Sequence, residues 1–100
     1  MGRIKLEVLP GIGDAFDRQG AGHLVLEETV EEGATIGDLM RRMASQYQAF
    51  GDIIFDSKTD KLSGYVAIAL NDRLVEALGG LDTNIKDGDI IKLFAVIAGG

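Results

Sequence analysis

The chain has 100 residues, 46% of them hydrophobic, which is enough for one compact core and a single domain spanning residues 1–100. A formal net charge of −6 and the complete absence of cysteine argue against a nucleic-acid-binding face, disulfide staples, thiolate metal sites and iron–sulfur clusters. No run of about 18 apolar residues occurs and no apolar leader follows Met1, so the expectation is a soluble cytoplasmic protein without a membrane span.

Residues Arg3 to Leu9 alternate, with Ile4, Leu6 and Val8 on one side and Arg3, Lys5 and Glu7 on the other, the pattern of a half-buried strand. Pro10-Gly11 ends it, and the glycine-rich residues 11–22 read as a loose connection. His23 to Val30 is a second strand, with Leu24 and Leu26 on its core face. The clearest helix follows. Thr35 is a good N-cap, Asp38 suits the positive end of the dipole, and Ile36, Leu39, Met40, Met43, Ala44 and Tyr47 form one apolar stripe. Arg41 and Arg42 fall on the opposite side. Residues 48–64 fit a short helix or an irregular strand equally well, although Phe50, Ile53, Ile54 and Phe55 need packing partners. Tyr65 to Leu70 is a third strand, Asn71-Asp72 a turn, and Leu74-Val75 a short return strand. Leu81 to Ile85 suggests one helical turn, Lys86 to Asp89 a tight turn, and Ile90 to Ile97 the last and most apolar strand.

One helix covers only one face of such a sheet. The last strand sets Ile91, Leu93, Ala95 and Ile97 against Ile90, Lys92, Phe94 and Val96. Lys92 would be costly beneath the helix, so the Phe94 face is expected to be the open one, with Leu9, Ala67 and Ala69 on the same side. An open face carrying Phe94 and Val96 is a candidate docking surface.

Other chemistry-bearing residues are sparse. His23 stands without a second histidine or any cysteine, which argues against a metal or catalytic role. Gly11-Ile12-Gly13 lacks the third glycine of a dinucleotide loop, since Phe16 occupies that place. Glu27, Glu28, Glu31 and Glu32 read as a solvated strand end rather than a cation site.

The chain closes on Val96-Ile97-Ala98-Gly99-Gly100. At average glycine usage a terminal pair arises in about one sequence in 200, and in about one in 50 at the 14 glycines present here. The doublet alone therefore decides little. Its setting adds more, because a strand running directly into it would carry the terminal carboxylate clear of the body, with residues 97–100 as a flexible tail. Without a Cβ, glycine threads a narrow channel in extended form. The α-carboxyl ionises at about pH 3.5, so at neutral pH it is a carboxylate able to attack the α-phosphate of ATP. The resulting acyl-adenylate has the leaving group that a bare carboxylate lacks. With no cysteine in the chain, any sulfur placed on it comes from elsewhere.

The stretch Leu81-Asp82-Thr83-Asn84-Ile85-Lys86-Asp87-Gly88-Asp89-Ile90-Ile91, followed by Ala98-Gly99-Gly100, resembles the molybdopterin-synthase small subunit and thiamin sulfur-carrier family. Asn71 before a short strand and the helix start Thr35-Ile36-Gly37-Asp38-Leu39 fit the same resemblance, which covers essentially the whole chain. It implies an α+β, ubiquitin-like β-grasp: a mixed sheet with one long helix on one face, and the first and last strands parallel at its centre. It implies no bound cofactor and no enzyme activity of the chain itself. A ubiquitin-activator-like adenylating enzyme would use ATP to make the Gly100 acyl-adenylate, and a persulfide would convert it to a thiocarboxylate. The sulfur would then pass to the molybdopterin-synthase large subunit or another sulfur-accepting enzyme. By position, Leu9, Leu74 and Phe94 match the family's apolar partner contacts, with Val96 and Ala98 leading to the reactive Gly99-Gly100. Two departures stand out: Ala95-Val96 replaces the family's common proline pair, and the chain is longer than the shortest members around residues 48–64. Carriers for thiamin, cysteine or transfer-RNA thiolation, a modifier joined to lysines, and a non-covalent β-grasp module are the alternative readings.

Overall fold

The computed structural model describes residues 2–9, 24–64 and 66–96. Two strands open the fold, β1 (Gly2–Val8) and β2 (Leu24–Val30), paired antiparallel from Gly2↔Val30 to Val8↔Leu24. Ile4, Leu6 and Val8 are buried while Arg3 and Lys5 are exposed, as period-two alternation demands. Leu24 and Leu26 pack half-buried against the same core.

The helix α1 (Ile36–Gln46) starts where the residues indicate. Asp38 N–H donates to Thr35 Oγ1 at 3.1 Å, and Thr35 N–H donates to Asp38 Oδ2 at 3.0 Å. This reciprocal capping box satisfies two of the orphan donors of the first turn. Ile36, Leu39, Met40 and Met43 are buried, with Ala44 and Tyr47 at the edge of the core.

The ambiguous stretch resolves into both expected alternatives. A short helix α2 (Gln48–Ile53) is followed by a two-stranded ribbon of β3 (Phe55–Asp56) and β4 (Lys61–Leu62). Phe50, Ile54 and Phe55 enter the core, whereas Ile53, the last residue of α2, remains 51% exposed. Arg41 ties this insertion to α1, lying 2.8 Å from Asp38 Oδ1 and 3.3 Å from Asp60 Oδ1.

β5 (Val66–Leu70) turns at Asn71-Asp72 into β6 (Arg73–Leu74). Both turn residues have positive φ, 50° and 70°, which Asn and Asp tolerate better than other non-glycine residues. The return strand differs from the expected Leu74-Val75: Val75 drops into the core and begins a 3₁₀ turn, Val75–Ala77. A second 3₁₀ turn covers Gly80–Asp82, one residue earlier than expected and overlapping the stretch Leu81 to Ile85 only at its first two residues. The following residues clamp the start of α1, with Ile36 N–H bonded to Thr83 O and Ile85 N–H to Ala34 O.

β7 (Ile90–Ala95) completes a five-stranded sheet in the order β2-β1-β7-β5-β6. It runs parallel to β1 and antiparallel to β5, so the first and last strands are the central pair. Its start is pinned by Asn71. The Asn71 Oδ1 accepts Ile90 N–H at 2.9 Å, and its Nδ2 donates to Asp89 Oδ1 at 2.8 Å. The other Asp89 oxygen accepts Lys86 N–H at 2.7 Å. Gly88, at φ 87°, completes this turn with a conformation that disfavours a Cβ. Among the described residues no helix is long and apolar enough to cross a membrane.

Candidate docking face and C-terminal tail

The sheet register decides which side chains share the uncovered face. Glu7 and Lys92 are partners across β1 and β7, Lys92 and Ala69 across β7 and β5, and Ala69 and Leu74 across β5 and β6. One row thus carries Glu7, Lys92, Ala69 and Leu74, extended on the other side by Val25, the partner of Glu7. The next row toward the chain end holds Phe94 opposite Ala67. Leu9 joins that row, since its N–H bonded to Leu93 O at 3.0 Å carries the β1–β7 ladder one residue further.

The expected open face is therefore the observed one. Ile91 and Leu93 are fully buried under α1, while Lys92 and Phe94 on the same strand are only half-buried. Phe94 lies beside the small Ala67, so part of its ring surface is left available to a partner. Leu74 is 48% exposed and Val96, just beyond β7, is 42% exposed. Phe94 and Val96 thus lie toward the C-terminal end of β7, while Leu74 stands in the row of Lys92. Ala98, Gly99 and Gly100 lie outside the described residues, as do His23 and the Gly11-Ile12-Gly13 stretch.

The rest of the face is polar and internally paired. Lys92 Nζ lies 3.0 Å from Asp72 Oδ1, with Glu7 beside it in the register. The bond to Asp72, aided by Glu7, holds the Lys92 ammonium above its ordinary range. Lys5 and Glu27 are also cross-strand partners. Two features of this face were not named among the sequence candidates: Val25, 53% exposed at the sheet edge, and Asp72 as the counter-ion of Lys92. Alternation places Val25 on the open face, but the Lys92–Asp72 pair joins residues 20 apart and depends on the turn geometry. Among the described residues no group of three or more His, Asp or Glu side chains is placed to hold a metal ion, including the clustered glutamates of β2.

A long helix laid across a mixed sheet, with the first and last strands parallel at its centre, is the β-grasp of ubiquitin-like proteins. The ThiS family model matches residues 15–100, a span that includes the terminal glycines. Small archaeal modifier protein 3 of Haloferax volcanii is 31% identical over 84 residues, covering 83% of this chain and 88% of that protein. The sulfur carrier protein CysO of Mycobacterium tuberculosis is 35% identical over 69 residues, covering 68% of this chain and 74% of its own. Among solved structures, small archaeal modifier protein 1 of Methanosarcina acetivorans superposes with a TM-score of 0.71 at 27% identity, covering 100% of this chain and 98% of that one. The chain belongs to the ThiS family of ubiquitin-like sulfur carriers and modifiers.

Proposed function

We propose that this protein is a sulfur carrier whose reacting group is the Gly100 carboxylate. In this reading a carboxylate oxygen attacks the α-phosphorus of ATP on a ubiquitin-activator-like adenylating enzyme, and pyrophosphate leaves. A persulfide sulfur on a partner then attacks the acyl carbon and displaces AMP. A thiol cleaves the resulting S–S bond, becoming oxidised to a disulfide and leaving the thiocarboxylate on Gly100. All sulfur comes from the partner, in keeping with a chain that has no cysteine. ATP is consumed by the partner, no cofactor resides on the carrier, and the chain acts as a substrate rather than as an enzyme. The cytoplasm, where ATP and reduced thiols are abundant, is the matching compartment.

The observation that carries this reading is the coupling of face and tail on one strand. β7 presents Phe94 on the uncovered side and then leads, through Val96 and Ala98, to Gly99-Gly100. A partner that binds Leu9, Leu74 and Phe94 would also receive the tail, so docking energy is spent on placing the carboxylate. The expected acceptor is the molybdopterin-synthase large subunit. The name of the modifier relative supports a second product, an isopeptide between Gly100 and a lysine of another protein.

The test is to treat the protein with ATP, its adenylating enzyme and a persulfide donor, and then add one acceptor at a time. Sulfur passing to a pterin precursor on the large subunit supports the molybdopterin route. Sulfur accepted only by enzymes of thiamin, cysteine or transfer-RNA thiolation keeps the carrier and replaces the route. A Gly100–lysine bond as the sole product makes the protein a modifier. No change at Gly100 in any arm refutes both chemistries and leaves a non-covalent β-grasp module.

A further inference from the structure

One row of the uncovered face carries an unbalanced charge. Lys92 Nζ lies 3.0 Å from Asp72 Oδ1, and Glu7 stands beside Lys92 as its register partner on β1. Two carboxylates therefore share one ammonium, and the row keeps a surplus negative charge at neutral pH. The row toward the start of β7 is balanced, since Lys5 faces Glu27 across β1 and β2. The row toward its end, with Leu9, Phe94 and Ala67, has no ionisable side chain. Arg73 does not restore the balance. It stands opposite Leu70, whose side chain is buried, so Arg73 lies on the helix side of the sheet.

The surplus charge lies against the apolar part of the same face. Leu74 follows Asp72 by two residues on one hairpin and shares the Lys92 row across Ala69. Phe94 follows Lys92 by two residues on β7 and points to the same side. A surface laid over both Leu74 and Phe94 must therefore cross Lys92 and come up against Asp72. The Asp72 side chain is 82% exposed, so water solvates its carboxylate in the free chain. Docking displaces that water from charged groups that do not cancel. An uncompensated charge taken out of water is costly, and a cation brought against it offsets the cost. A carboxylate on the partner would instead add to the surplus and be repelled.

Resting on the reading that this face receives the adenylating enzyme, we propose that the enzyme's docking surface carries a basic side chain beside its apolar contacts, and that this cation meets the Asp72 carboxylate. A carboxylate accepts more than one donor, so Asp72 can hold Lys92 and the partner's cation together. The apolar contacts at Leu74 and Phe94 supply affinity. The surplus charge supplies discrimination, because it rejects a surface of the same apolar shape with an acidic rim. Asp72 is thus a specificity-determining residue of the docking step, set apart from the chemistry at Gly100.

The test titrates the full chain against the enzyme that adenylates Gly100, without ATP, at low and at moderate salt. Asp72 has a φ of 70°, which asparagine tolerates as well as aspartate, so Asp72→Asn removes the charge and keeps the turn. It should weaken binding about three- to tenfold at low salt, and affinity should then fall less steeply as salt rises. Lys92→Gln removes the cation of the row and should bind at least as tightly as the unsubstituted chain, because the surplus negative charge grows. The two variants move in opposite directions, which a general weakening of the fold would not produce. Weaker binding by Lys92→Gln means that the partner presents a carboxylate to Lys92 and overturns the proposal, as does unchanged affinity in Asp72→Asn. Phe94→Asp separates this outcome from failure of the docking face itself. If Phe94→Asp weakens binding while Asp72→Asn does not, the face is the docking surface and the proposed cation is absent. If Phe94→Asp also leaves binding unchanged, the docking face falls and the proposal with it.

Discussion

The two sides of β7 obey different demands on one backbone. Ile91 and Leu93 are fully buried beneath α1, whereas Lys92 and Phe94, one residue along in each case, face the uncovered side of the sheet. Since the side-chain period of a strand is two, a slip of one residue would place Phe94 in the core and Leu93 on the uncovered face. Stability and the recognition proposed for Phe94 are thus assigned to different residues that share one register. Asn71, Asp89 and Lys86 hold that register at the far end of the strand from the tail.

The sharpest way to break the comparison is to truncate both sides alike. Leu93→Ala should cost about 2–5 kcal/mol in urea denaturation, because the helix and sheet cannot close over the lost volume. Phe94→Ala should cost less than about 1 kcal/mol by the same measurement, since its ring is already partly in solvent. Equal losses would mean that the two faces are not distinct. Phe94→Asp should then show the reverse asymmetry. It should lower affinity for the adenylating enzyme about tenfold or more in a binding titration, with the melting temperature little changed.

Smaller effects sharpen the role of the register pin. Asn71→Ala removes two solvent-accessible hydrogen bonds, to Ile90 N–H and Asp89, each contributing about 0.5–1.5 kcal/mol, and should cost about 1–3 kcal/mol in all. If the register depends on Asn71, amide signals along β7 should shift together, while those of β2 stay in place. The smallest effect concerns α1. The hydrogen bond from Arg41, with that from Thr35 N–H, holds the Asp38 carboxyl below its ordinary 3.8. A lowered folded-state value means that its stabilisation is present above about pH 4 and is lost as pH falls through the depressed value. Asp38→Asn should therefore flatten the acid limb of the stability profile slightly, and only slightly, because the pair is half exposed.

The parts that were legible in the sequence share one property: their signal is local. Alternation located β1, β2 and β7 and chose the open face correctly, because Lys92 excluded its own side from the core. The cap at Thr35 marked the helix start within one residue. Residues 48–64 resisted because α2 is barely longer than one turn, and six residues give too few repeats to separate a helix from a strand. Val75 was misplaced because a two-residue edge strand has no room to establish alternation before the chain turns inward. The Lys92–Asp72 pair and the Asn71 bonds to Asp89 and Ile90 connect residues 18 to 20 apart, so only the folded turn brings them together. The tail differs again. Its glycines are plain in the sequence, and the family match includes them, but the role proposed for them involves a partner that the fold of this chain alone does not contain.

The most direct test of the central claim is the mass of the C-terminal peptide after reaction with ATP, the adenylating enzyme and a persulfide donor. The peptide ending in Gly100 should gain the difference between a sulfur and an oxygen atom, and a chain lacking Gly100 should fold normally yet gain nothing. An unchanged terminal peptide in the intact chain, or sulfur found elsewhere on the protein, would contradict the account.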